Sequence, residues 1–192
     1  MRGSESKPGE QGARRARAPR RITALYLRRA ALHYLERYAA PAAQLRRVLA
    51  RKIAVSCRHH GEDPAIHGPL LDEVVAHCVA LQLVDDRRFA EARAASLRRK
   101  GLSSRAVAGR LAAKGIGREL VAELATGGEG SEHAAARVAV RRKRLGRWRR
   151  PGEGQDERAL RQRDLAALAR LGFGFAVAQA VLDEEADPEE LD

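Results

Sequence analysis

One six-residue ending occurs three times in this chain. It reads Leu97-Arg98-Arg99-Lys100-Gly101-Leu102, then Leu111-Ala112-Ala113-Lys114-Gly115-Ile116, then Leu168-Ala169-Arg170-Leu171-Gly172-Phe173. Each copy puts a glycine just past a helix, where the left-handed backbone is favoured. Each also sets two apolar residues at the C3 and C″ spacing of a Schellman ending. A chain stopped this abruptly and this often builds short helices that turn sharply on one another. The first two stops are linked. Asp85 is predicted to cap a helix that runs to Lys100, with Asp86 at N1, where a negative charge suits the helix dipole. Val84 and Phe89 sit at the N′ and N4 positions of a hydrophobic staple. Ser103 caps the next helix, with Leu102 at N′ and Val107 at N4, and Gly117 caps a third, with Ile116 at N′ and Val121 at N4. Leu102 and Ile116 therefore each close one helix and open the next. Residues 85–126 are predicted to form a compact three-helix unit.

The flanks follow the same plan. Residues 22–38 have helical spacing, with Leu25, Leu32 and Leu35 as the inward positions and Tyr26 and Tyr38 flanking. A second helix starts with Pro41 at N1 and continues through Leu45, Leu49 and Ile53. Residues 54–68 hold the polar, Gly and Pro residues of a connection, part of which can prolong that helix. Gly68-Pro69 opens a third helix with Leu71, Val74, Val75, Cys78 and Leu81 inward. Beyond Leu124, TGGEGSE is a break. A long basic helix is predicted over 132–150, with sparse apolar positions at Val138, Val140 and Leu145. PGEGQ interrupts, and helices follow over 156–171 and 175–183, the last carrying Val177, Val181 and Leu182. The expected fold is all-α: an elongated, curved array of three tandem three-helix units over 22–84, 85–126 and 127–183. A basic arm over 1–21, with Arg14, Arg15, Arg17, Arg20 and Arg21, is expected to be disordered, and an acidic tail over 184–192 frayed.

Charge is the main functional signal. The 192 residues carry 37 Lys and Arg against 25 Asp and Glu, a net charge of +12 that attracts a polyanion or an acidic protein surface. Two clusters stand out. Arg98, Arg99, Lys100, Arg105, Arg110, Lys114 and Arg118 gather about the corners of the middle unit. Arg141, Arg142, Lys143, Arg144, Arg147, Arg149 and Arg150 fall in a stretch with no acid from Ala134 to Gly152. These residues are the candidate contacts to a partner or to DNA. Scattered charges more often make an ordinary solvated face, and it is the acid-free run that favours binding. Trp148 and Tyr38 are candidate stacking residues. Aromatics make up only 4% of the chain, however, which gives a single-strand stacking platform little to work with.

Other chemistry finds little support. Asp85 and Asp86 are adjacent at a helix start and do not face each other, so capping explains them better than catalysis does. Cys57, His59, His60, His67, His77 and Cys78 match no standard zinc spacing, and no metal or cofactor is expected. Nucleotide-loop and serine-hydrolase signatures are absent from the sequence. No apolar run reaches the ~18 residues of a membrane span, and the N-terminus lacks the apolar region of a secretory signal. The cysteines form no CxxC, so a cytoplasmic protein with reduced thiols is expected.

The stretch from Leu83 to Ile116 resembles the signature of the RecX family of RecA regulators. The matching elements are Asp85-Asp86 ahead of Phe89-Ala90, then Lys100-Gly101, then Leu111 with Lys114-Gly115-Ile116. The first unit is similar through Ala31-Leu32-His33-Tyr34-Leu35 with Leu45, Leu49 and Lys52, and the third through Leu171-Gly172-Phe173. Pro41 and Gln44 depart from a Ser-x-x-Glu capping box usual in the family, and Leu171 stands where a base is common. The resemblance implies a bent helical array lying in the groove of the RecA–DNA filament. There it would inhibit ATP hydrolysis and strand exchange, with no catalytic residue and no cofactor. It implies the RecA filament as partner, DNA contacted weakly or through the filament, and a monomeric regulator of recombination, DNA repair and the SOS response. The other reading of the same charge is a stand-alone helical nucleic-acid-binding protein with no recombinase partner.

Overall fold

A computed structural model describes residues 18–125, 129–149 and 156–184, excluding the side chains of residues 129 and 130. Among these residues every regular element is helical. The α-helices are α1 (Ala24–Leu35), α2 (Ala42–His60), α3 (Gly68–Ala80), α4 (Asp86–Arg99), α5 (Ser104–Lys114), α6 (Arg118–Ala125), α7 (Glu129–Lys143), α8 (Glu157–Arg170) and α9 (Phe175–Asp183). Short 3-10 turns lie at Pro64–His67 and Gly146–Trp148.

The repeated stops are where the sequence puts them. Gly101, Gly115 and Gly172 have φ of 75°, 90° and 89°. In each case the C″ amide donates to the C3 carbonyl: Leu102 to Leu97 at 3.2 Å, Ile116 to Leu111 at 3.2 Å and Phe173 to Leu168 at 3.1 Å. The same wiring also closes α3 at Gln82 and α7 at Arg144, both with φ of 54°. Neither residue is a glycine, so composition did not mark these two stops. The stop at Arg144 overturns the single helix expected over 132–150. The basic run instead breaks after Lys143 and re-enters as the turn at Gly146.

The helices pack in consecutive threes. α1, α2 and α3 enclose Leu27, Ala31, Leu45, Leu49, Ile53, Leu71, Val74 and Cys78. α4, α5 and α6 enclose Ala90, Ala94, Leu97, Val107, Leu111, Ile116 and Val121. α7, α8 and α9 enclose Ala135, Ala136, Ala139, Val140, Leu168, Phe173, Ala178 and Val181. Several inward assignments are corrected. Leu25 is 59% exposed and Leu32 is 45% exposed, whereas Leu27 and Ala31 are buried. Leu35 does pack against the core, but the packed face is turned about a third of the way round the helix from Leu25 and Leu32, onto Ala31 and Leu27. Leu81 is also exposed, because it is the C-cap of α3 rather than part of its inner stripe. Pro41 is the N-cap of α2 rather than N1. In α7, alanines rather than Val138 form the packed face.

Residues 18–21 correct the expected disordered arm. The Ser56 hydroxyl donates to the Arg20 carbonyl at 2.8 Å, a ring nitrogen of His60 pairs with the Pro19 carbonyl at 2.9 Å, and Arg21 forms an ion pair with Glu62. The end of the arm is thereby held along α2. The rest of it, 1–17, lies outside the described residues, as do 126–128, 150–155 and 185–192 of the expected breaks and tail.

Successive three-helix groups meet by one recurring geometry. The C-terminus of α5 abuts the N-terminus of α2, and the C-terminus of α8 abuts the N-terminus of α5, so the helix dipoles meet with opposite ends together. At the first junction a Cβ placed on Gly115 would lie 2.4 Å from Ala43 Cβ, and at the second a Cβ on Gly172 would lie 2.7 Å from Ser103 Oγ. Glycine is needed there for close approach as well as for its φ. At each junction the following group also lends a carboxylate to the middle helix of the group before it. Asp86 Oδ1 accepts the Ala42 N–H at 2.8 Å, and Glu132 Oε2 accepts the Ser104 N–H at 2.9 Å.

Candidate interaction surface

The junctions leave clefts, and the basic residues gather in two of them. Between the second and third groups, a cleft of about 490 Å³ is lined by Lys100, Gly101, Leu102, Ala106, Arg110, Ala139, Arg142, Lys143, Arg170 and Leu171. Among the described residues it holds five cations and no carboxylate. Between the first and second groups, a cleft of about 590 Å³ is lined by Tyr34, Tyr38, Gln44, Arg47, Val48, Arg51, Ala113 and Lys114, again with cations and no carboxylate. The two correspond under the repeat. Gln44 and Ala106 are both the third residue of their helices, and Ala113 and Arg170 both lie two residues before a helix-ending glycine.

The local fold explains why the charges point there. Lysines or arginines just before a helix stop sit beside the free carbonyls of the last turn, where the dipole favours a cation. Arg47 donates to the Lys114 carbonyl at 2.8 Å and to the Ala113 carbonyl at 3.3 Å, closing the end of α5 from the neighbouring group. Arg142 does the same for the Lys100 carbonyl at 3.1 Å. Lys114 reaches Gln44 Oε1 at 2.9 Å. These bonds hold the charged head groups at the clefts, and each head group keeps further N–H donors.

The candidate residues thus separate by environment. Lys100, Arg110, Arg142 and Lys143 come together at the second cleft, and Lys114 lines the first. Arg99, Arg105, Arg118 and Arg144 are exposed outside the two linings. Arg98 is largely buried. It donates to Ser131 Oγ at 3.0 Å, to Ser104 Oγ at 3.1 Å and to the Ala125 carbonyl, with Glu132 at 3.7 Å, so it holds the junction together. Arg149 pairs with the buried Asp164, which also accepts the Gly146 N–H at 2.8 Å. A buried carboxylate stripped of its cation is costly, which gives Arg149 a structural task. Arg141 and Arg147 lie 5.1 and 5.5 Å from the Trp148 ring centroid, so that ring is already engaged by cation–π contacts. Tyr38 remains more than half exposed beside Tyr34, with their centroids 5.2 Å apart. Arg150 lies outside the described residues.

The sequence matches known proteins. The model of the second three-helix domain of RecX matches residues 85–124. Regulatory protein RecX of Myxococcus xanthus is 42% identical over 185 residues, covering 95% of this chain and 96% of that protein. The chain belongs to the RecX family. Regulatory protein RecX of Agrobacterium fabrum is 29% identical over 159 residues, covering 82% of each chain. No solved structure matches. No helix among the described residues is long and apolar enough to cross a membrane. Arg47 and Arg51 of the first cleft and Arg170 of the second join the candidate residues through the fold. Aligning the glycine endings is the signal that finds Arg170, because it takes the place that the candidate Arg99 holds in the first copy.

Proposed function

We propose that this chain regulates a RecA-type recombinase by binding its filament on DNA through the two junction clefts, with inhibition of ATP hydrolysis and strand exchange as the outcome. The observation that carries the reading is the second cleft, where the described residues bring five cations and no carboxylate together in a chain of the RecX family. Filament-surface carboxylates or DNA phosphates would be met there by charge-assisted hydrogen bonds, for which guanidinium groups are well shaped. We further propose that the three helical groups act as units divided near residues 84 and 126, so that successive clefts engage successive sites. Several modest contacts on one array add up to a tight one. The chain acts without a catalytic centre in this reading, and its place is the cytoplasm, where the filament forms.

Titration of the protein into a RecA ATPase assay on single-stranded DNA, beside a binding curve to the same DNA alone, tests this. The expected result is inhibition at or below stoichiometric protein with weak binding to bare DNA. Tight binding to bare DNA with no effect on ATP hydrolysis would favour the stand-alone nucleic-acid-binding reading instead.

A further inference from the structure

The connection between α2 and α3 folds back so that three metal-ligating side chains converge. Cys57 Sγ, a Glu62 carboxylate oxygen and a His67 ring nitrogen all lie within 4.8 Å of one another. Three local devices bring them together. α2 ends at Gly61 with φ of 68°, the Asp63 carboxylate caps the turn by accepting the Ala65 N–H at 2.9 Å, and the 3-10 turn Pro64–His67 returns the chain to the helix. His67 and Glu62 are largely buried and Cys57 is fully buried, so the donors are held rather than left free to swing.

We propose that Cys57, Glu62 and His67 form a binding site for a single zinc ion, the fourth position being taken by water. The donor set argues for zinc. Thiolate, imidazole and carboxylate together suit a borderline-soft ion, and three protein ligands with one open position is a recurring zinc arrangement. One pair of donors is already at the spacing of a loaded site, and Cys57 Sγ lies within 4.8 Å of both. Zinc-to-ligand distances of roughly 2.0–2.3 Å in a tetrahedron set the donors about 3.4–3.6 Å apart. His67 Nε2 and Glu62 Oε2 are already 3.4 Å apart, long for a charge-assisted hydrogen bond and right for two ligands of one ion. Glu62 also has its outer partner in place, because Arg21 holds the other carboxylate oxygen, as ligating carboxylates require. On binding, the thiol gives its proton to solvent as the Zn–S bond forms, and no oxidant or reductant is needed. The ion would tie residues 18–21, the end of α2 and the 3-10 turn into one knot.

The test uses the full chain and the metal alone. Competition of Zn²⁺ against a chromophoric chelator should give one bound equivalent. Co²⁺ in its place should show the near-ultraviolet absorption of a cobalt–thiolate bond together with tetrahedral visible bands. Cys57→Ser should abolish the thiolate band, and His67→Gln, checked by circular dichroism to be folded, should weaken zinc binding by at least about tenfold. Absence of saturable uptake at micromolar metal would overturn the site. So would a cobalt spectrum without the thiolate band, or affinity unchanged in His67→Gln, which would move the ion to another histidine such as His59.

Discussion

The Asp86 carboxylate accepts the backbone N–H of Ala42 at 2.8 Å, so a residue at the start of α4 caps the start of α2. Its neighbour Asp85 caps α4 itself by accepting the Arg88 N–H at 2.9 Å. The two acids therefore have separate tasks. Pro41, at the N-cap of α2, has no side-chain acceptor, and Asp86 supplies one from the next group. Asp86→Ala should lower unfolding stability by about 1 kcal/mol, the usual worth of a cap, whereas Asp86→Asn should cost less because Asn accepts the same bond. Urea melts of the two variants check the order.

Gly115→Ala should be costlier than an ordinary substitution at a helix stop. The new methyl meets both the left-handed backbone and Ala43, for a loss of roughly 2–4 kcal/mol. Gly61→Ala supplies the control. Its φ is 68° with nothing within 4 Å of a new Cβ, so only the backbone term of about 1 kcal/mol applies. Adding Ala43→Gly to Gly115→Ala should recover the steric part and leave the backbone part, and a double-mutant cycle by denaturant unfolding measures the coupling.

These stops show what the sequence could and could not say. Gly101, Gly115 and Gly172 were legible because the signal is local: a residue free to take positive φ, with apolar residues at fixed offsets. The stop at Arg144 was not, because a bulky residue takes the left-handed form there only under tertiary constraint, and helix formers continue through it to Leu145, with Gly146 placed two residues too late for the C′ position. Arg98 and Arg149 read as free charges, since nothing local announces that Glu132 and Asp164 will come round to meet them. The exposed Leu25 and buried Ala31 failed in the same way, because side-chain size suggested a face that packing decided. Within the acid-free run 134–152 the cations divide: Arg137 and Arg149 meet Glu184 and Asp164, whereas Arg142 and Lys143 face one cleft. The Arg170 that joins them comes from a different helix, and only folding brings it to the same cleft.

The exposed pair Arg87–Glu123 joins α4 to α6 through two hydrogen bonds of 2.6 and 2.8 Å. The Arg87 guanidinium, by hydrogen bond first and by charge as well, holds the Glu123 carboxyl below its ordinary value. A depressed carboxylate contributes stability above its unfolded value and loses it as pH falls through the folded one. The contribution should therefore be constant near neutrality and disappear in acid below the usual glutamate range. Solvent and salt screen so exposed a pair, so its share is small. Carbon NMR titration should place the Glu123 midpoint below that of an unpaired glutamate, and Arg87→Gln should move it up.

Arg110 and Lys143 face the second cleft from α5 and α7, and neither has a hydrogen-bond or ion-pair partner among the described residues. Removing them should leave the fold intact and weaken the hold on the partner. The double variant Arg110→Ala, Lys143→Ala is expected to melt within about 0.5 kcal/mol of the parent, as exposed substitutions do. Filament or DNA binding should weaken and become less sensitive to salt, the slope of log K against log salt falling by about one for each phosphate the variant no longer neutralises. Arg98→Ala should do the opposite. Its guanidinium ties Ser104, Ser131 and the Ala125 carbonyl together, so stability falls first and binding only as a consequence. Arg118→Ala, exposed and outside both clefts, should change neither quantity. Binding weakened equally in Arg118→Ala and in the cleft variant would mean that overall charge, not the cleft, carries the interaction.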